Sequence, residues 1–134
     1  MSQEMLETLR RGYEAFSRGD MSAVAGLATR DVEWGTTGAF AGIDGLYRGP
    51  EVIQQWADAI HSDWGDFEVS LDEVLHDGDD VVVVAERLRG RDRARGDDVE
   101  IRIYAAYWFE AGKVRRRAAS TSRKVALEAA GLSE

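Results

Sequence analysis

Residues 67–88 read FEVSLDEVLHDGDDVVVVAERL, and this stretch decides the fold. Phe67, Val69 and Leu71 alternate with Glu68, Ser70 and Asp72, and a second apolar run begins at Val81, with Asp77 and Gly78 between them. Alternating runs joined by Asp-Gly are the signature of two antiparallel strands closed by a tight turn. The same reading extends downstream: strands are expected over 66–76, 79–91, 98–110 and 113–122, with Ala111-Gly112 as a second tight turn.

Upstream of Gly65 the apolar period changes from two to about 3.6. Leu6, Leu9, Tyr13 and Phe16 mark one face of a first helix ending near Gly19, and Asp20 caps a short second helix carrying Met21, Val24 and Leu27. Val32 and Trp34 alternate with Glu33 in a short strand over 31–36. Residues 37–49 hold four glycines but also Phe40, Ile43, Leu46 and Tyr47, and read as an anchored loop of the kind that covers binding sites. Gly49-Pro50-Glu51 opens a third helix whose buried stripe is Ile53, Trp56, Ile60 and Trp64, and a short helical tail is expected over 125–131. Helices first and strands after predict an α+β domain, three helices packed on one face of a strongly curved, mostly antiparallel sheet. A small molecule would sit between them.

Composition limits the function. The 134 residues suit one domain spanning 1–134, and the longest apolar run, Val81 to Ala85, is too short to span a membrane. The acidic first residues do not resemble a signal peptide, so a cytoplasmic protein is expected. Zero cysteines remove disulfides and thiolate chemistry, and a net charge of −8 disfavours nucleic acid and anionic membranes. Arg87, Arg89, Arg91, Arg93 and Arg95 fall on alternate residues and would form one basic stripe in a strand. Glu100, Asp97 and Asp98 stand near enough in sequence to pair with it, and no aromatic residues interleave as nucleic-acid binding requires. His61, His76, Asp77, Asp79 and Asp80 have neither the spacing of a zinc motif nor that of a calcium loop, and no cofactor motif is present, so no metal and no cofactor are expected.

Five segments in order, YEAFSRGD (13–20), DVEW (31–34), YRGPEVI (47–53), GKV (112–114) and ALEAAGL (126–132), resemble the SnoaL-like branch of the nuclear transport factor 2-like superfamily. The resemblance covers nearly the whole chain. It implies a cone-shaped α+β fold, commonly homodimeric, shared by polyketide cyclases, ketosteroid isomerases and epoxide hydrolases. Ketosteroid isomerases resemble this chain but carry their general-base aspartate at the position of Trp34, and their oxyanion-binding groups fall near Gly12 and Ala105. Polyketide cyclases carry an acid late in the last strand, where Ala119-Ser120-Thr121-Ser122 stands here. Both departures remove the family's familiar catalytic groups.

What remains polar and inward follows from strand parity. Val82, Val84 and Leu88 share a face with Glu86, where a carboxylate would be desolvated unless a cation pairs with it; it is the candidate acid/base, or alternatively a structural partner of an arginine. Arg115, Arg116 and Arg117 leave no alternation to read, but alignment on Gly112-Lys113 favours Arg115 and Arg117 inward. Arg117 would then pair with Glu86 or a ligand carboxylate. His61 borders the third helix's apolar stripe and is a second catalytic candidate or a boundary histidine. Tyr13, Trp34, Tyr47, Trp56 and Tyr107 are candidates for an aromatic pocket wall, or plain core. The expected activity is a cofactor-free cyclase, isomerase or hydratase acting on a hydrophobic polycyclic or terpenoid-like molecule. The alternative is a non-catalytic binding or dimerisation module. An outward Trp108 beside arginines predicts a homodimer through the outer sheet face.

Overall fold

The structure, a computed structural model, describes residues 2–37 and 45–132. Helix α1 (Ser2–Arg18) buries Met5, Leu9, Tyr13 and Phe16 on one face. It ends where Gly19 turns to φ +78° and the Asp20 N–H donates to the Ala15 carbonyl at 2.8 Å, a Schellman closure. Asp20 then caps α2 (Met21–Gly26), its carboxylate accepting the Ala23 N–H at 3.2 Å. Helix α3 (Pro50–Asp63) turns Ile53, Trp56, Ala57 and Ile60 into the core, as the apolar stripe requires.

Strands β1 (Ala28–Thr37), β2 (Gly45–Arg48), β3 (Trp64–Asp77), β4 (Val81–Asp92), β5 (Asp98–Glu110) and β6 (Lys113–Ser120) form one sheet in the order β2-β1-β6-β5-β4-β3. Every neighbouring pair is antiparallel except β1 and β6. Three register shifts in the β3–β4 pairing bend that end of the sheet, since each extra residue adds local twist. Ala111 and Gly112 both adopt positive φ, the backbone a two-residue hairpin between β5 and β6 demands. The side chains between α1–α3 and the inner sheet face make the main core, Val82, Val84, Leu88, Ile103 and Ala105 among them.

The structure corrects five details. Trp64 opens β3 rather than ending the helical stripe, its backbone being extended at φ −123° and ψ 127°. The segment 37–49 contains β2, which pairs with the otherwise open edge of β1; residues 38–44 lie outside the described residues, Phe40 and Ile43 with them. The arginine stripe holds only Arg87, Arg89 and Arg91. The strand ends at Asp92, whose carboxylate accepts the N–H groups of Ala94 and Arg95 and turns the chain, so Arg93 and Arg95 leave the row. In β6 the register shifts between Trp108 and Phe109, leaving Arg115 without a β5 partner, so that of residues 114–117 Val114 and Arg117 are buried and Arg115 is half-exposed.

The fifth correction concerns the outer face. Helix α4 (Arg123–Ala129) does not trail off as a tail but lies on that face, burying Ala126 and Leu127 against Val83 and Ala106. Trp108 is therefore not bare: it packs at the edge of this cluster, and the Arg116 guanidinium covers its ring at 4.5 Å. The arginines of β4 pair as their sequence neighbours suggest, Arg89 with Glu100 at 3.0 Å and Arg91 with Asp98 at 3.7 Å, while Arg87 also reaches Asp72 at 3.2 Å. Such exposed pairs are worth little stability, but they neutralise the stripe. Among the described residues, no helix is long and apolar enough to cross a membrane.

Candidate functional site

Three adjacent strands and one helix bring four polar side chains together at the bottom of the core. Glu86 comes from β4, Tyr107 from β5 and Arg117 from β6, with Tyr107 and Arg117 directly opposite each other in the ladder. Tyr13 reaches them from α1. Glu86 and Arg117 are each only 1% exposed, so all four must satisfy one another.

They do so through the Glu86 carboxylate. Its Oε2 accepts the Tyr13 hydroxyl at 2.6 Å and also the Tyr107 hydroxyl, while Oε1 faces Arg117 Nη2 at 3.4 Å. Arg117 Nε donates to the Tyr107 oxygen at 3.1 Å, and Nη1 to the Gly35 carbonyl at 3.3 Å. The guanidinium plane is further wrapped by aromatic rings, 4.8 Å from the Trp34 centroid and 5.1 Å from that of Trp56. Among the described residues the set pairs one anion with one cation, and two phenols donate to the anion's other oxygen.

The electrostatics favour this arrangement of protons. Burial, reinforced by the Glu86 carboxylate, raises the Tyr13 phenol well above its ordinary value of 10.0 and raises Tyr107 in the same direction, with Arg117 partly opposing at Tyr107. For Arg117, burial works against the charge, but the Tyr107 oxygen and the Glu86 carboxylate outweigh it and the guanidinium holds its proton more firmly than in water. Both tyrosines are donors and the arginine is a cation throughout the ordinary pH range.

Above this set lies a cavity walled by α1, α2, α3 and the inner sheet. The space open to the centre of a water-sized sphere is about 60 Å³, and its surface is almost wholly apolar. Tyr13, Trp34, Trp56, Tyr107, Glu86 and Arg117 all border it. Tyr47 pairs with Trp34 in the backbone ladder, placing it in one row with Trp34, Arg117 and Tyr107, but its side chain lies outside the described residues. His61 is not brought to the cavity. Its ring stacks on Phe16 at 5.5 Å and meets the edge-on ring of Phe67 at 5.5 Å, one layer behind two residues that do line the space, and its buried Nε2 has no hydrogen-bond partner among the described residues. His76 stands apart at the β3 end.

Sequence reasoning placed Tyr13 on the α1 side of the wall but missed Thr8, Leu9 and Gly12 beside it, together with Leu27 and Val69. Of these, Gly12 carried a readable signal, a glycine in the middle of an amphipathic helix. Among the described residues no group of three or more histidine, aspartate or glutamate side chains could hold a metal ion.

The model of the SnoaL-like domain matches residues 9–117, a span that runs from the α1 wall of the cavity to Arg117 itself. The chain belongs to the SnoaL-like family. Solved structures agree with this SnoaL-like domain in fold. Bal32a, from a soil-derived mobile gene cassette, is 28% identical with a TM-score of 0.76, over 88% of each chain. TerC, co-crystallised with polyporic acid, is 20% identical with a TM-score of 0.75, over 87% of this chain and 89% of its own. A protein with a ketosteroid isomerase-like fold from Catenulispora acidiphila DSM 44928, in complex with trimethylamine, is 14% identical with a TM-score of 0.74, over 94% and 93%. No curated protein matches the chain.

Proposed function

We propose that this SnoaL-like domain binds a small, uncharged, hydrophobic molecule in its cavity, with the Tyr13–Glu86–Tyr107–Arg117 set forming the polar floor beneath it. The observation that carries this reading is the contrast between an almost wholly apolar cavity surface and four polar groups that satisfy each other. A charged ligand would need its own counter-ion in a site where the one anion and the one cation of the floor already face each other. TerC with polyporic acid and the Catenulispora protein with trimethylamine are consistent with this fold admitting small organic molecules. The direct test is isothermal calorimetry with neutral terpenoids and single-ring aromatics. Saturable binding with the negative heat-capacity change of apolar burial is expected. Absence of any saturable heat would refute the pocket.

A second reading, cofactor-free acid/base catalysis of the isomerase or hydratase kind, is favoured by one feature: Glu86 Oε2 is held by two hydroxyl protons and screened from water. A ligand oxygen that accepted the Tyr13 hydroxyl in place of Glu86 would be polarised by that donor and would leave Oε2 open to receive a proton. Under this reading Glu86→Gln abolishes turnover of a bound substrate while binding persists; equal turnover would leave binding alone. His61, set behind Phe16 and Phe67, could act only if those rings moved.

For assembly we keep the homodimer through the outer sheet face as a proposal. It rests on the half-exposed Tyr104 and Trp108 beside α4, and sedimentation at micromolar concentration tests it.

A further inference from the structure

Glycine is a poor residue for the interior of a helix, and its usual excuses are a left-handed backbone or a neighbour too close to admit a Cβ. Gly49 and Gly112 have the first, at φ +91° and +81°. Gly90 has the second: a Cβ there would meet Trp64 Cε3 at 3.0 Å and the Gly65 carbonyl at 3.2 Å. Gly12 has neither. It sits inside α1 with ordinary helical backbone, and a Cβ built on it would touch only Leu27 Cδ1, at 3.6 Å, a normal contact distance.

What Gly12 does have is a place on the cavity wall. It lies one helical turn from both Thr8 and Phe16, on the α1 face that lines the space, and it faces Leu27 across the gap between α1 and the turn after α2. Both Gly12 and Leu27 are half-exposed although they border the cavity, whereas Thr8, Leu9, Tyr13 and Phe16 are buried. A side chain at position 12 would fill this gap.

We propose that Gly12 is a specificity-determining residue, its missing side chain keeping the cavity open between α1 and Leu27 for an uncharged ligand of about one ring. This rests on the pocket reading above and adds the ligand's size. The open space of about 60 Å³ is less than half of the roughly 150 Å³ of an apolar cavity known to hold benzene. A single ring therefore has to use the gap between Gly12 and Leu27 as well as the space beneath it, and a fused polycycle exceeds both. A Leu side chain at position 12 would occupy much of that gap, and an Ala less.

The test uses p-cresol as the neutral single-ring probe, benzoate and benzylammonium as its charged counterparts, and anthrone as a fused tricycle, each titrated calorimetrically into wild type, Gly12→Ala, Gly12→Leu and Gly26→Ala. Gly26 lies at the end of α2, exposed and off the cavity wall, with nothing within 4 Å of where a Cβ would stand, and serves as the control. Expected results are p-cresol binding by wild type, weaker by several-fold in Gly12→Ala and lost in Gly12→Leu, and unchanged in Gly26→Ala. Gly12→Ala should meanwhile raise Tm by about 2–5 °C, because alanine is the better helix former. Equal p-cresol affinity in folded Gly12→Leu, a lowered Tm in Gly12→Ala, or preference for anthrone or a charged probe would overturn the inference while leaving the pocket standing. No binding of any probe by wild type would remove the pocket reading, and this inference with it.

Discussion

The Tyr13 hydroxyl donates to Glu86 Oε2 at 2.6 Å, and this bond crosses from helix α1 to strand β4. The other members of the buried set all come from neighbouring strands, so their positions are fixed by the ladder, whereas Tyr13 is fixed by the packing of a helix. Tyr13→Phe keeps the ring's packing and removes one donor from a buried carboxylate. A hydrogen bond to a charged group contributes about 1.5–3 kcal/mol, so urea unfolding should show a loss of that size. Amide exchange should accelerate more in α1 than in β4 and β5, since the sheet retains its own bonds.

Glu86 and Arg117 give a sharper contrast. Glu86→Gln takes away the carboxylate that faces the buried Arg117 cation at 3.4 Å, which should cost about 3–5 kcal/mol. Replacing both, as Glu86→Leu with Arg117→Met, removes the two charges together at similar volume and should cost much less than the sum of the single changes. Denaturant titration of wild type, Glu86→Leu, Arg117→Met and the double variant gives the coupling directly. Additive losses would mean that the two charges are compensated by the tyrosines and the backbone rather than by each other.

Glu86 was legible in the sequence because Val82, Val84 and Leu88 share its parity, and the strand keeps that parity from one end to the other. Tyr107 likewise shares its parity with Ile103, Ala105 and Phe109, all buried. Arg117 was harder. Three consecutive arginines show no alternation, and the bulge at Arg115 breaks the parity between Val114 and Arg117, which no local pattern announces. The position of α4 was not readable either, because its short amphipathic pattern fixes a buried side but not which surface covers it. The helical elements and their ends were readable from local chemistry: Gly19 and Asp20 close one helix and cap the next with bonds made within a few residues. The Gly12 gap needed three dimensions, since only the cavity shows what that glycine leaves empty.

Helix α4 offers a separate test of how the outer face is held. Ser122 Oγ accepts the Val125 N–H at 3.3 Å as its N-cap, and Leu127 is buried against the outer cluster. Ser122→Ala should cost about 1 kcal/mol and Leu127→Ala about 2–5 kcal/mol in unfolding free energy. Neither residue borders the cavity, so p-cresol affinity should be unchanged in both. If Leu127→Ala weakened binding as much as it weakened the fold, the two faces of the sheet would be coupled.

The raised pKa values of the two buried tyrosines predict how stability responds to alkali. Folding raises the values of Tyr13 and Tyr107 above 10.0, so below about pH 10 both states keep these protons and neither group affects the balance. Above that, the unfolded chain releases the two protons while the folded chain retains them, so the folded state binds more protons and its stability falls as pH rises. Each tyrosine contributes up to about 1.4 kcal/mol per pH unit, and the pair up to about 2.7. Unfolding free energy should therefore decline steeply from pH 10 upward. Tyr13→Phe should remove about half of that slope, even though it lowers stability at pH 7. Of the four tyrosines in the sequence, the two on the floor should give their tyrosinate absorbance only on unfolding, in step with the loss of circular dichroism. Ionisation of Tyr13 or Tyr107 near pH 10 in a still-folded protein would show that water reaches the floor of the cavity.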